Sequence, residues 1–524
     1  MAQSKSVGSV TYQTPSADYF DKRALKRHAR LWSLWALGVG AVISGQFSGW
    51  NLGLAAGGWG GMLIASLLIS VMYFALCFSL AELSPALPHT GGAYSFARTA
   101  MGPLGGFVTG LAESIEYIMT PAVIVFFMGS YLGAIFGTPT EYAPLWWIAS
   151  YALFALLNYV GVELSFKVSV VVTLVALAVL AFFCVSALPH VDFGRWALNI
   201  AAGADGKPTE LAQGHGAFLP FGWSGAFAAM PFAVWLYLGI EELPLAAEEA
   251  HEPEKDMPKG LLFGMLTLLV FALAVMFCNA AIGGSETGQL RGAFSLATSG
   301  EPLLDGFRTL YGVGAARLLS LAAVAGLVAS FHTIIFAFSR QIYSLARAGY
   351  YPTVLSLTHG TNKTPYTALL GGSLAGLGVL LVVWFSRGPN EGGVLIGGSL
   401  LNMAVFGAMI SYAFQGLSFI LLRIRQPQLV RPYRSPLGNV GAFLTIAIAL
   451  WTMYYQLQDP AYVKGVYATL AWYGVGVLYF MLFGRHRLIL SPEEQFALSM
   501  PSAVAGPTPQ APPLPTSDGH GRTS

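Results

Sequence analysis

Four glutamates interrupt long apolar runs in this sequence. Glu113 and Glu116 lie in the run 104–136, and Glu241 and Glu242 lie near the middle or inner half of the run 223–245. A carboxylate at bilayer depth is costly and marks a functional group by default. The chemistry open to it is to balance a bound cation or to relay a proton. Glu113 and Glu116 are three apart and share a helix face, so they are candidates for a proton or cation relay. The alternative is a structural bond to a neighbouring helix. Glu241 and Glu242 are adjacent and point about 100° apart on a helix, so only one of them is expected to face a given pocket. His332, in FHTIIF, titrates near neutral pH and is a further relay candidate, or else a hydrogen-bonded core residue.

The helices that would position these groups are themselves interrupted. The first apolar run reads LWALGVGAVISGQFSGWNLGLAAGG, with Gly38, Gly40, Gly45, Gly49 and Gly53 in it and Ser44, Gln46, Ser48 and Asn51 adding polar groups. Each glycine costs about 1 kcal/mol relative to alanine in a helix. The run is therefore either a close-packed interface of small residues or an unwound stretch whose free backbone faces a solute. The sixth run, PFAVWLYLGIEELPLAAEEAHEPEKDMPKG, is broken by Pro231, Gly239 and Pro244 beside Glu241 and Glu242. Within one short stretch it offers two carboxylates and the aromatic faces of Trp235 and Tyr237. Aromatic faces attract a cation by about 0.5–2 kcal/mol each.

Composition fixes the setting. Of 524 residues, 55% are hydrophobic and only 10% charged, against roughly 25% charged in soluble domains. A formal charge of +2 without a basic stripe excludes a nucleic-acid partner. An integral-membrane enzyme needs a clustered nucleophile, base or metal set, and the nine histidines are scattered. Cys77, Cys184 and Cys278 sit singly in apolar runs without metal-ligand spacing and read as small core residues. Neither a metal nor a cofactor is expected.

Runs long enough to span fall at 32–56, 60–82, 104–136, 144–163, 167–188, 223–245, 260–282, 314–346, 366–386, 392–421, 440–457 and 464–484. The expectation is an all-α membrane protein of twelve transmembrane helices, since runs of this length exclude barrel strands. With the N-terminus inside, 20 of the 27 lysines and arginines fall on the cytoplasmic side. The positive-inside rule then places both termini in the cytoplasm and the protein in the cell (inner) membrane. Residues 1–30 form a polar N-terminal segment, 31–487 the membrane domain, and 488–524 a Pro-, Ser- and Gly-rich tail expected to be disordered. Glu82, His89 and Arg98 after the second run, and Glu248, Glu249, Glu252, Glu254, Lys255, Asp256 and Lys259 after the sixth, are either gating ion pairs or a solvated surface.

GVGAVISG (38–45), LSPALPHTGGAYSFAR (83–98), the Glu116-Tyr117 pair, GIEELPLAAEE (239–249) and FSRQIYSLARAGYYP (338–352) resemble segments of the amino acid–polyamine–organocation transporters. Within that superfamily, ISGQFSGWNLGLAAGG, ALPHTGGAYSFARTAMGP and PLAAEEAHEPEKDMPKG are similar to the ethanolamine permeases. The resemblance covers about residues 25–485. It implies a leucine-transporter-type fold, a five-plus-five inverted repeat with discontinuous helices one and six and two peripheral helices. It further implies that the solute binds between the two breaks, walled by helices three and eight.

Carried onto this chain, the binding segments are Ile43, Ser44 and Gly45 on helix one, and Trp235 to Glu241, with Tyr237 and Gly239, on helix six. The resemblance favours Glu241 over Glu242 as the acidic position. Ser330 and Thr333 fall where sodium-dependent relatives place hydroxyl ligands, but two hydroxyls alone do not indicate sodium. Some relatives carry a lysine midway along helix five that is linked to proton coupling. Ala176 stands there in this chain, which puts coupling through that group in doubt.

The implied function is import of ethanolamine or a similar small amine by alternating access, with a coupling proton as an optional partner. A small neutral amino acid permease is the alternative. A non-transporting membrane sensor is the reading from a different class.

Overall fold

The structure, a computed structural model, describes residues 4–7, 9–16, 19–23, 25, 29–160, 162–284, 289–387 and 393–499. The first apolar run forms α1 (Leu31–Val42) and the single turn α2 (Ser44–Phe47). Four long helices follow, α3 (Gly53–Ala86), α4 (Ala93–Phe136), α5 (Ala143–Val160) and α6 (Val162–Ala187). The sixth run is divided into α7 (Gly222–Ala228), α8 (Met230–Val234) and a 3-10 segment, Ile240–Glu249. Beyond it lie α9 (Pro253–Ala280), the short α10 (Gly292–Leu296), α11 (Pro302–Arg347) and α12 (Tyr366–Arg387). The chain closes with α13 (Gly393–Arg425), α14 (Gly438–Gln458), α15 (Val463–Leu482) and α16 (Pro492–Ser499).

Among the described residues, 10 helices are long and apolar enough to cross a membrane. Leu374, Val382, Phe385, Val440 and Val475 point outward and are each at least 66% exposed. Such apolar exposure is a liability in water and fits a lipid solvent. The central helices are α4, α11 and α13, whose apolar windows are 72% buried, whereas α15 is 17% buried and lies at the edge. The lengths of α4 and α11 resolve into kinks. Gly102 (φ 81°) and Gly312 (φ 75°) adopt left-handed backbone, just before the apolar runs 104–136 and 314–346 begin.

Two expectations need correction. The protein is mostly helical but not all-α. Strands β1 (Ser4–Val7), β2 (Val10–Gln13) and β5 (Leu488–Ile489) form one small sheet, and β3 (Ile200–Ala202) pairs antiparallel with β4 (Pro208–Glu210). These strands lie outside the apolar helices, in segments of two to four residues that carry no hydrophobic run long enough to force a helix. The ordered chain also extends past 487. Leu488–Ser499 supply β5 and α16, because Leu488, Glu493 and Glu494 are buried against the helix ends. Residues 500–524 of the expected tail lie outside the described residues. Since β2 pairs parallel with β5, both ends of the described chain lie on one face, called here the termini face.

Candidate functional site

Helix one breaks because a side chain enters its hydrogen-bond ladder. The Ser330 hydroxyl, from α11, donates to the Gly40 carbonyl at 2.7 Å and accepts from the Ser44 N–H at 2.8 Å. These are the two groups that would otherwise bond to each other one turn apart, and insertion of this kind interrupts a helix. Ile43 lies between α1 and α2, and the chain then turns at Ser48 in extended backbone and Gly49 at φ 92°.

Helix six breaks between α8 and the 3-10 segment. Gly239 takes φ 113°, a conformation that glycine adopts without strain. The freed Gly239 N–H donates to both carboxylate oxygens of Glu241 at 3.1 Å.

The two breaks touch. A Cβ on Gly45 would lie 2.3 Å from the Trp235 carbonyl oxygen, so glycine is what permits the approach. Gln46 Nε2 donates to the Leu236 carbonyl at 3.1 Å, and Trp235 Nε1 donates to the Ser48 carbonyl at 3.0 Å. Ile43, Ser44, Gly45, Trp235, Tyr237, Gly239, Glu241 and Glu242 thus fall in one region, and all are buried.

The carboxyls converge on it. Glu116 and Glu241 are in mutual hydrogen-bonding contact, and the Tyr412 hydroxyl of α13 donates to Glu116 at 3.1 Å. Glu241 is the principal charged influence on Glu113, Glu116 and Glu242 alike. Among the described residues, none of the four forms an ion pair with a basic side chain. Both oxygens of Glu242 and one of Glu113 have no hydrogen-bond donor from the protein. Burying one carboxyl beside another is expensive unless a proton or a cation enters between them. The Tyr73 hydroxyl lies 3.1 Å from that of Tyr412, and the Tyr73 ring sits 5.6 Å from Tyr237, giving the acidic cluster an aromatic wall.

His332 is not brought to this cluster. Its ring nitrogen Nδ1 lies 3.0 Å from Asn158 Nδ2 on α5, with Phe154 beside it. Ala176, buried on α6, is one turn from Thr173, whose hydroxyl donates to the Ala36 carbonyl of helix one at 3.1 Å. Sequence reasoning missed Ser330 as the wedge, Tyr412 as a partner of Glu116, and Tyr73 as the partner of Tyr412. The available signal was two tyrosines inside apolar runs, since a buried hydroxyl needs a partner.

On the termini face the charged loops divide. Arg340 donates to Glu249 at 2.9 Å and Arg347 to Glu248 at 2.7 Å, ion pairs joining α11 to the 3-10 segment. Arg423 and Arg431 hold Glu82. Glu252 and Lys255 instead pair on the exposed surface, where such a pair contributes little.

The amino acid permease family matches residues 30–481. An uncharacterized transporter of Rhizobium meliloti is 27% identical over 476 residues, covering 89% of this chain and 94% of that protein. The methylthioribose transporter of Bacillus subtilis is 23% identical, covering 90% and 96%. The lysine-specific permease of Lactococcus lactis is 28% identical, covering 85% of each. With the family's match running from the start of α1 to the end of α15, this chain belongs to the amino acid permease family and is a membrane transporter rather than an enzyme.

Proposed function

We propose that the protein carries a small solute bearing an ammonium group, ethanolamine or a similar small amine, into the cell by alternating access. The observation that supports this is the cluster of Glu113, Glu116, Glu241 and Glu242 at the touching breaks, without a basic partner. A solute cation there meets carboxylates and the faces of Trp235 and Tyr237, and Glu241 is its counter-charge, with Glu242 second. We read the two broken segments, together with the ten helices long and apolar enough to cross a membrane, as twelve crossings. We read them as a five-plus-five repeat with both termini in the cytoplasm. The termini face is then the inner one.

An inside-negative potential favours entry of one positive charge by about 2.3 kcal/mol per 100 mV, roughly a 50-fold accumulation. Ion coupling is thus optional, in keeping with Ala176. The second reading is a small amino acid permease, favoured by the family and by relatives such as the lysine-specific permease.

Uptake of labelled ethanolamine into proteoliposomes, competed with alanine and with putrescine, separates the readings. The proposal expects uptake that rises with an imposed inside-negative potential. It also expects uptake to be lost in Glu241→Gln, since removing one partner of a buried charge pair costs about 3–5 kcal/mol. Displacement by alanine alone, with no ethanolamine uptake, would establish the amino acid reading instead. Binding without flux of any solute would indicate the sensor.

A further inference from the structure

We propose that the C-terminal segment Leu488–Ser499 is a strap that holds the termini face of the transporter closed. It rests on the alternating-access reading above, in which that face must open for release. Two adjacent carboxylates on α16 carry it. Glu494 accepts hydrogen bonds from Arg98 Nε at 2.6 Å, Tyr12 at 2.9 Å, Tyr94 at 3.0 Å and Tyr350 at 2.9 Å. Glu493 pairs with Arg347 and accepts from the Ser344 hydroxyl at 3.3 Å. Both carboxylates are at most 1% exposed.

These partners belong to elements that have to part. Arg98 and Tyr94 open α4, Ser344 and Arg347 close α11, and Tyr12 comes from β2. Arg347 is shared, since it also grips Glu248 at the end of the 3-10 segment below the site. Phe496 of α16 packs against His89 at 5.4 Å, and the neighbouring Thr90 N–H donates to Glu248 at 3.0 Å. The strap thus presses the α3–α4 loop onto the inner half of helix six while fastening the ends of α4 and α11 to each other. The register is fixed by backbone. Ile489 N–H donates to the Ala348 carbonyl at 2.9 Å, and Gly349 lacks a Cβ that would stand 2.5 Å from the Arg487 carbonyl oxygen. An element bonded only in the closed arrangement biases the equilibrium toward it, and its release shifts the population the other way.

The test uses the full chain with Cys77, Cys184 and Cys278 replaced by alanine and a reporter cysteine at Ala246, which is fully buried in the 3-10 segment. In inside-out vesicles, a membrane-impermeant maleimide should label Ala246→Cys at least about tenfold faster when Glu493→Gln and Glu494→Gln are added. Labelling within about twofold of the parent would overturn the proposal. Should that double variant fail to fold, Ser344→Cys with Glu493→Cys, joined by a short reversible thiosulfonate cross-linker, gives the second reading. Solute flux should stop on cross-linking and return on reduction, and flux indifferent to the cross-link would overturn the strap. The labelling arm needs no solute, so it stands even if the amine reading fails.

Discussion

Gly45→Ala tests whether the touching of the two breaks is the working geometry. The added methyl would sit 2.3 Å from the Trp235 oxygen, 3.1 Å from its carbonyl carbon and 3.2 Å from the Leu236 Cα. All three are backbone atoms, so no side chain can swing aside. The segments must separate by about 1 Å to restore ordinary contact, at an overpacking cost of about 1–3 kcal/mol. That separation stretches the Gln46-to-Leu236 and Trp235-to-Ser48 bonds, now 3.1 and 3.0 Å. It displaces the carbonyl and N–H groups that would meet a solute, and a 1 Å misplacement of binding groups is worth on the order of a 100-fold loss. The assay is initial uptake at equal reconstituted protein, with thermal unfolding measured in detergent. Gly474→Ala is the control, because nothing lies within 4 Å of its Cβ position on α15. It should transport normally. If Gly45→Ala also transports at the native rate, the close approach of helices one and six has no part in transport.

Ser330→Ala should let the Ser44 N–H return to the Gly40 carbonyl and heal the break, so stability should fall by no more than about 1 kcal/mol while uptake falls at least about tenfold; undiminished uptake would show the wedge to be dispensable. The strap should be insensitive to pH near neutrality and fail only in acid. Burial pushes the Glu493 carboxyl up, but Arg347, with His89, outweighs it and holds the group below its ordinary 4.5. A carboxylate lowered in the folded state contributes stability that is fully present above the unfolded value and lost as pH falls through the lower folded one. Limited proteolysis within Leu488–Ser499 should therefore be unchanged from about pH 5 upward, and loosening between about pH 6 and 7 would contradict the Arg347 pairing.

The long helices were legible because each is a self-contained run of apolar residues. In lipid, the backbone must satisfy its own hydrogen bonds within such a run. The breaks were legible for the converse reason, since Gly239 and the glycines of 38–53 weaken helix locally. The order beyond 487 was not legible. Pro492, Glu493 and Glu494 look like the start of a polar tail because two adjacent carboxylates after a proline carry no local sign of a buried partner. Their partners Arg98 and Arg347 are 396 and 146 residues away, and only the assembled chain brings an arginine and three tyrosine hydroxyls to one carboxylate.

The site divides along the same line. A glycine break announces itself, but the group that keeps it open does not. Ser330 is one small hydroxyl in an apolar helix, and its effect arises because α11 passes within hydrogen-bond reach of both Gly40 and Ser44. The acids behave likewise. Spacing put Glu113 and Glu116 on one face of α4, yet the contact that matters for charge is between α4 and the 3-10 segment, Glu116 to Glu241. The acidic pairing therefore runs between two segments of the site and not along a single helix. A charge gained or lost on either carboxyl is therefore felt by the other, because the two meet in one buried space.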